Sequence, residues 1–288
     1  MLIGYNTNGL AHHDPFQAIE LLAEIGYRSV AITLDQGRLN PFSPDFHAQL
    51  VALRRLLERL KLRSVVETGA RYLLDPRRKH EPTLVSPDEA GRSRRIAFLK
   101  AAIDAAHELQ SDCVSLWSGV VHDGADLDSA LARLLAGLRP TLDHAQAKNV
   151  TIGFEPEPGM LIDTMDRYEQ LDRLLDHPCF QLTLDVGHLH CLGEVPIAAH
   201  IRRWRQRLVN IHIEDMRSGV HEHLMFGEGE IDFPPVIDAL RECGYTRGVH
   251  VELSRHSHVG PEAARQAFEF LRSLWHDNQT DVANQRHD

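Results

Sequence analysis

Apolar positions follow two alternating rhythms along the chain. Short runs rich in Val, Ile and Leu lie at 2–7 (LIGYNT), 29–35 (SVAITLD), 63–68 (RSVVET) and 112–119 (DCVSLWSG), then at 151–157 (TIGFEPE), 181–187 (QLTLDVG), 208–215 (LVNIHIED) and 248–254 (GVHVELS). Several are apolar almost without interruption, the pattern of parallel strands covered on both faces. Between them the apolar residues take the helical period. Asp14-Pro15 and Gly26 bracket the first helix as N-cap, first-turn proline and C-terminal stop. Ser43-Pro44 and Ser86-Pro87 open the next two, and further helical stretches begin near 126, 164, 197, 232 and 261.

Strand and helix thus alternate eight times. The first expectation is an α/β fold, a single-domain (β/α)8 TIM barrel over residues 1–275; an open doubly wound sheet is the second. No G-x-G-x-x-G or Walker A motif follows a strand, which favours the barrel. The connection from Gly69 to Pro87 is long for a strand–helix loop, carries Arg71, Arg77, Arg78 and Lys79, and is a candidate lid. Residues 276–288 are polar without an apolar period and are expected to form a flexible tail.

Composition narrows the function classes. The length of 288 residues suits one barrel, and 43% hydrophobic with 25% charged residues is ordinary for a soluble protein. The start lacks the basic-then-apolar pattern of a signal peptide, and no run reaches the roughly 20 apolar residues of a membrane helix, so a cytoplasmic protein with no membrane partner is expected. Cys113, Cys179, Cys191 and Cys243 form no CxxC pair and read as reduced, mostly buried thiols. A net charge of −10 argues against a nucleic-acid partner.

Barrel active sites form at the C-terminal ends of the strands. Those ends hold Asn6, Asp35, Glu67, Trp117, Glu155, Asp185, His212 and Glu252. Acids that end apolar strands are costly to bury without a partner or a metal. The last four strands contribute three carboxylates and one imidazole, a set that suits one divalent ion: Mn2+ by preference, with Mg2+ or Co2+ as substitutes and Zn2+ or Fe2+ if more histidines join. Glu157 is expected to turn away into the loop after Pro156, and His190 and His200 to lie on helix surfaces.

The motifs FEPEPG, LDVGHLH, NIHIEDM, GEGEIDF and ALRECGYTRGVHVEL together resemble the xylose isomerase-like TIM-barrel superfamily. That group includes sugar isomerases and epimerases, dehydratases and endonuclease IV. The resemblance spans nearly the whole chain and is most specific in its C-terminal half. It implies that Glu155, Asp185, His212 and Glu252 hold the metal, and that Glu155 and Glu252 also act as the catalytic acid/base pair on opposite faces of a carbohydrate substrate. His188 matches a substrate contact in epimerases and a metal ligand in endonuclease IV. His223 matches the histidine of an Asp-x-His motif there, with His221 in the place of the Asp. These three are candidates for a second metal or for the substrate, His188 just after the sixth strand and His221 and His223 on a loop after the seventh.

Two departures matter. The regions VETGARYL and SLWSG supply Glu67 and Trp117 but not the histidines of a trinuclear zinc cluster. Glu214 stands where many relatives carry lysine. Arg217, Trp117, Glu67 and Glu214 are candidate substrate contacts, with Trp117 as an apolar wall. The expected chemistry is proton transfer next to a ketone through a metal-stabilised enediolate: isomerisation or epimerisation of a sugar, sugar phosphate or polyol ketone. A dehydratase or lyase on the same site is the alternative, and an endonuclease IV-like phosphodiesterase ranks below it. A homodimer or larger homo-oligomer is expected, as barrels of this kind often dimerise.

Overall fold

The computed structural model describes residues 1–37 and 39–284, with 276–284 by backbone alone. Three parallel strands open the chain: β1 (Leu2–Asn6), β2 (Ser29–Thr33) and β3 (Arg63–Glu67). Next come β4 (Val114–Leu116), β5 (Ile152–Phe154), β6 (Phe180–Asp185) and β7 (Leu208–Ile213). A two-stranded antiparallel hairpin follows, β8 (Asp215–Arg217) and β9 (Val220–Leu224), before β10 (Gly248–Val251). Strands β1 to β7 and β10 close into one barrel, with β10 pairing both β1 and β7. The single-domain (β/α)8 fold expected from the alternation is therefore the fold observed.

The helices are α1 (Pro15–Ile25), α2 (Phe46–Leu60), α3 (Glu89–Leu109), α4 (Leu127–Lys148) and α5 (Met165–Leu175), then α6 (Val186–Cys191), α7 (Ile197–Trp204), α8 (Phe233–Glu242) and α9 (Gly260–Asn284). Helix α1 starts as its sequence dictates: the Asp14 carboxylate accepts from the amides of Phe16 and Gln17, and Gly26 closes it at φ 128°. The Ser-Pro signals sit slightly early; α2 and α3 begin after Asp45 and Asp88. The short helix α6 carries His190, which the sequence places on a helix, whereas the β8–β9 hairpin is not foreshadowed by any sequence pattern. The last helix runs to Asn284, past the expected start of the tail, and 285–288 lie outside the described residues.

The barrel's interior is polar along its axis, and this column leads to the site. His250 is fully buried; its Nε2 lies 2.8 Å from Ser29 Oγ and its Nδ1 2.7 Å from Asn210 Oδ1. The ring fits because Gly4 and Gly248 lack side chains; a Cβ at either would stand 2.3 Å from it. Asn210 continues the chain, its Nδ2 reaching Glu67 Oε1 at 3.3 Å and His212 Nε2 at 3.1 Å. Buried polar groups linked in this way fix one arrangement of the side chains above them.

Candidate metal centre

Each site residue ends a strand or begins the loop after it. The Glu155 amide donates to Leu116 O at 2.8 Å, and the Glu252 amide to Ile213 O at 3.2 Å, so the ladders extend one residue beyond β5 and β10 and aim both carboxylates inward. Asp185 ends β6 and caps α6 through His188 N at 2.8 Å, and His212 lies in β7.

These four converge. His212 Nδ1 lies 2.9 Å from Glu252 Oε2, 3.0 Å from Glu155 Oε1 and 3.9 Å from Asp185 Oδ2. One donor atom from each lies within 4.8 Å of the others. Asp185 Oδ2 is buried with no hydrogen-bond partner. An orphaned carboxylate oxygen among three other donors fits a divalent cation, because a buried anion is otherwise strongly disfavoured. His212 presents Nδ1 to the cluster, while its Nε2 meets Glu67 Oε1 at 3.0 Å and Asn210. A carboxylate behind a ligating imidazole is the usual means of orienting it. Glu67, expected at the substrate, thus contacts His212 as well as lining the pocket.

The electrostatics are strained without a cation. Burial pushes Glu155 up to about 7, against the pull of His212. Burial acts the same way on Glu252, but there His212, His223 and the amide of Asn8 outweigh it and hold the carboxyl well below its ordinary range. Burial disfavours charge on His212, yet Glu155, Glu67 and Glu252 raise its pKa well above the usual value. Two glutamates facing one point are thus driven in opposite directions, the pattern of an acid/base pair.

A second group adjoins the first. His188, His221 and His223 bring ring nitrogens within 4.8 Å of one another, and His221 Nε2 lies 3.1 Å from His188 Nε2. His188 Nδ1 is tied to Pro156 O at 3.2 Å and His223 Nδ1 to Glu252 O at 3.0 Å, which leaves both Nε2 atoms for other partners. Burial lowers His188 to about 4. His221 and His223 stand on β9, in a strand rather than the expected loop. Glu157 also departs from expectation. The turn in which its carbonyl accepts from Met160 and its amide donates to Ile162 folds the side chain back, to 3.8 Å from His188 Nε2 and 3.7 Å from His221 Nε2.

A pocket of about 310 Å³ opens above both groups. Trp117 lines it, backed by the buried Arg95 guanidinium 4.5 Å from the ring centroid. Arg71, Lys79 and His80 of the long loop line it too, whereas Arg78 is bonded to Asp75. Arg217, expected at the substrate, is instead exposed at the end of β8, donates to Glu228 O and does not line the pocket. Arg255 lines the pocket together with Arg71, and is paired with Glu222. Glu214 is wholly buried, 3.7 Å from His223 Nδ1, and is not a pocket-lining residue. Asn8 was missed, although it donates to Glu252 Oε1 at 2.8 Å; a lone Asn just past a strand end gives no sequence signal.

The model of the xylose isomerase-like TIM barrel family matches residues 19–274. The chain belongs to that family. The L-ribulose-5-phosphate 3-epimerase UlaE of Salmonella typhi is 27% identical over 210 residues, 72% of this chain and 73% of its own. Among solved structures, the D-allulose 3-epimerase from Methylomonas sp. superimposes with a TM-score of 0.75 at 20% identity, covering 95% of this chain and 98% of its own. The IOLI protein, solved with a bound zinc atom, gives a TM-score of 0.75 at 18% identity over 95% and 98%.

Proposed function

We propose that the chain is a divalent-metal-dependent epimerase or isomerase of a ketose or ketose phosphate, with Glu155 and Glu252 as its proton-transfer pair. The observation that carries this reading is the placement of both glutamates against one imidazole nitrogen, in a pocket of small-molecule size. The sugar epimerases among the relatives support the substrate class.

Glu155, Asp185, His212 and Glu252 would hold the ion, Mn2+ by preference for a set with three carboxylates. When bound it supplies Lewis acidity, polarising the substrate carbonyl and favouring loss of the adjacent proton. Glu252, the glutamate kept ionised, takes that proton on a carboxylate oxygen; Asn8 holds its Oε1 in place. Glu155, the second glutamate at the His212 nitrogen, returns one on the other face. Trp117 walls the sugar and Lys79 lines the pocket toward its polar groups. His188, His221 and His223 serve either the substrate or a second ion; native mass spectrometry of Zn2+-loaded protein separates these, since only the second assignment gives two ions per chain.

Product analysis of metal-loaded protein on ketoses and their phosphates tests the reading. An epimer or isomer that forms with metal and not with EDTA supports it. An enone product moves the assignment to the dehydratase alternative.

A further inference from the structure

A second cavity of about 260 Å³ adjoins the metal pocket. Thr33 and Arg71 line both and form the boundary between them. This chamber lies between the segment after β1, the start of α1 and the loop after β2. Leu10, Pro15 and Ala18 give it apolar lining, beside the acids Asp14 and Asp35. Its walls carry groups that exchange hydrogen bonds with hydroxyls: Thr7, His13 and Gln36.

The boundary is held open by its own bonds. The Thr33 amide donates to Thr7 Oγ1 at 3.0 Å and its hydroxyl to Asn6 Oδ1 at 3.1 Å. Arg71 is drawn aside by its ion pair with Asp35, whose other oxygen accepts from Gln36 N at 2.8 Å. Among the described residues Gln36 Nε2 makes two long contacts, 3.4 Å to Tyr72 O and to Leu73 O, which a ligand can replace. A lining that mixes apolar and hydrogen-bonding groups is suited to a sugar, which has apolar ring faces and hydroxyl edges. A pocket sized for one small molecule does not need a neighbour nearly as large.

We propose that this chamber is a second subsite, and that the substrate is a ketose bearing a further hydroxylated unit, a glycosyl group or a polyol arm, that crosses between Thr33 and Arg71. The inference rests on the ketose reading of the metal pocket. The reacting carbons stay beside Glu155 and Glu252 while the appended unit fills the chamber.

Titration calorimetry of Mg2+-loaded protein with D-fructose and with trehalulose, lactulose and palatinose, joined through O1, O4 and O6, tests this. At least one disaccharide is expected to bind tenfold or more tightly than fructose. Ala11→Trp, on the exposed rim of the chamber, and Gln36→Ala should each lower that ratio, the first about tenfold. Equal binding of fructose and all three disaccharides overturns the proposal, as does a preference that survives Ala11→Trp. A chamber-dependent preference without any epimerised product leaves the subsite standing and overturns the proposed reaction; epimerised fructose without a preference does the reverse.

Discussion

Gly187 leaves the space that Glu214 occupies: a Cβ there would stand 2.0 Å from Glu214 Oε1. The buried acid lies between Asp185 and His223, and burial and then Asp185 raise its pKa well above the ordinary carboxyl value. Gly187→Ala must displace Glu214 or the start of α6, with an expected loss of about 1–3 kcal/mol and weaker metal binding, because Asp185 caps that helix. Thermal melts with and without metal check it; an unchanged melting temperature contradicts it.

Asp215 explains the Gly-x-Gly turn after the hairpin. Its carboxylate accepts from the amides of Met216, Gly227, Gly229 and Ile231 at 2.8 to 3.1 Å. Gly229 lies so close that a Cβ would meet Asp215 Oδ1 at 2.3 Å. Asp215→Ala leaves four amide donors without their shared acceptor and should cost about 3 kcal/mol in denaturant unfolding. A loss below about 0.5 kcal/mol, the range of ordinary surface changes, would contradict the clamp.

A metal at the cluster proposed here would compete with a proton on Glu155. This carboxyl rises from 4.5 to about 7 in the metal-free fold. An acid with a raised folded pKa adds stability below its unfolded value and loses it as pH rises through the folded value. The metal-free protein should therefore lose stability between those two pH values, and Glu155→Gln should flatten the decline. Metal binding needs the ionised carboxylate, so it should tighten across the same window and release a proton at about pH 6. Calorimetry in buffers of different ionisation enthalpy reads that release; its absence would contradict the coupling.

Asn8 donates to Glu252 Oε1, so Asn8→Ala should reduce kcat more than it raises KM, by about tenfold. A change confined to KM would assign Asn8 to substrate binding alone.

Most of the fold was legible because buried parallel strands repeat one apolar pattern and the helices between them carry caps. Glu155, Asp185, His212 and Glu252 were legible because each ends such a strand, where an acid or imidazole contradicts its apolar surroundings. What depends on loop path was not legible. Glu157 follows Pro156 and reads as leaving the site, yet the turn to Ile162 returns it. Arg217 follows β7 closely in sequence, but the hairpin carries it outward. His80 lies deep in an irregular loop with no period to place it, and reaches the pocket beside Trp117.

The most direct test of the central claim is deuterium incorporation next to the ketone during turnover in D2O. Metal-loaded protein is predicted to place solvent deuterium on that carbon as the epimer forms. Glu155→Gln and Glu252→Gln, each with metal bound and fold intact, should lower product formation by about 10²–10⁴-fold. Full activity in either variant, or turnover insensitive to EDTA, would contradict the account.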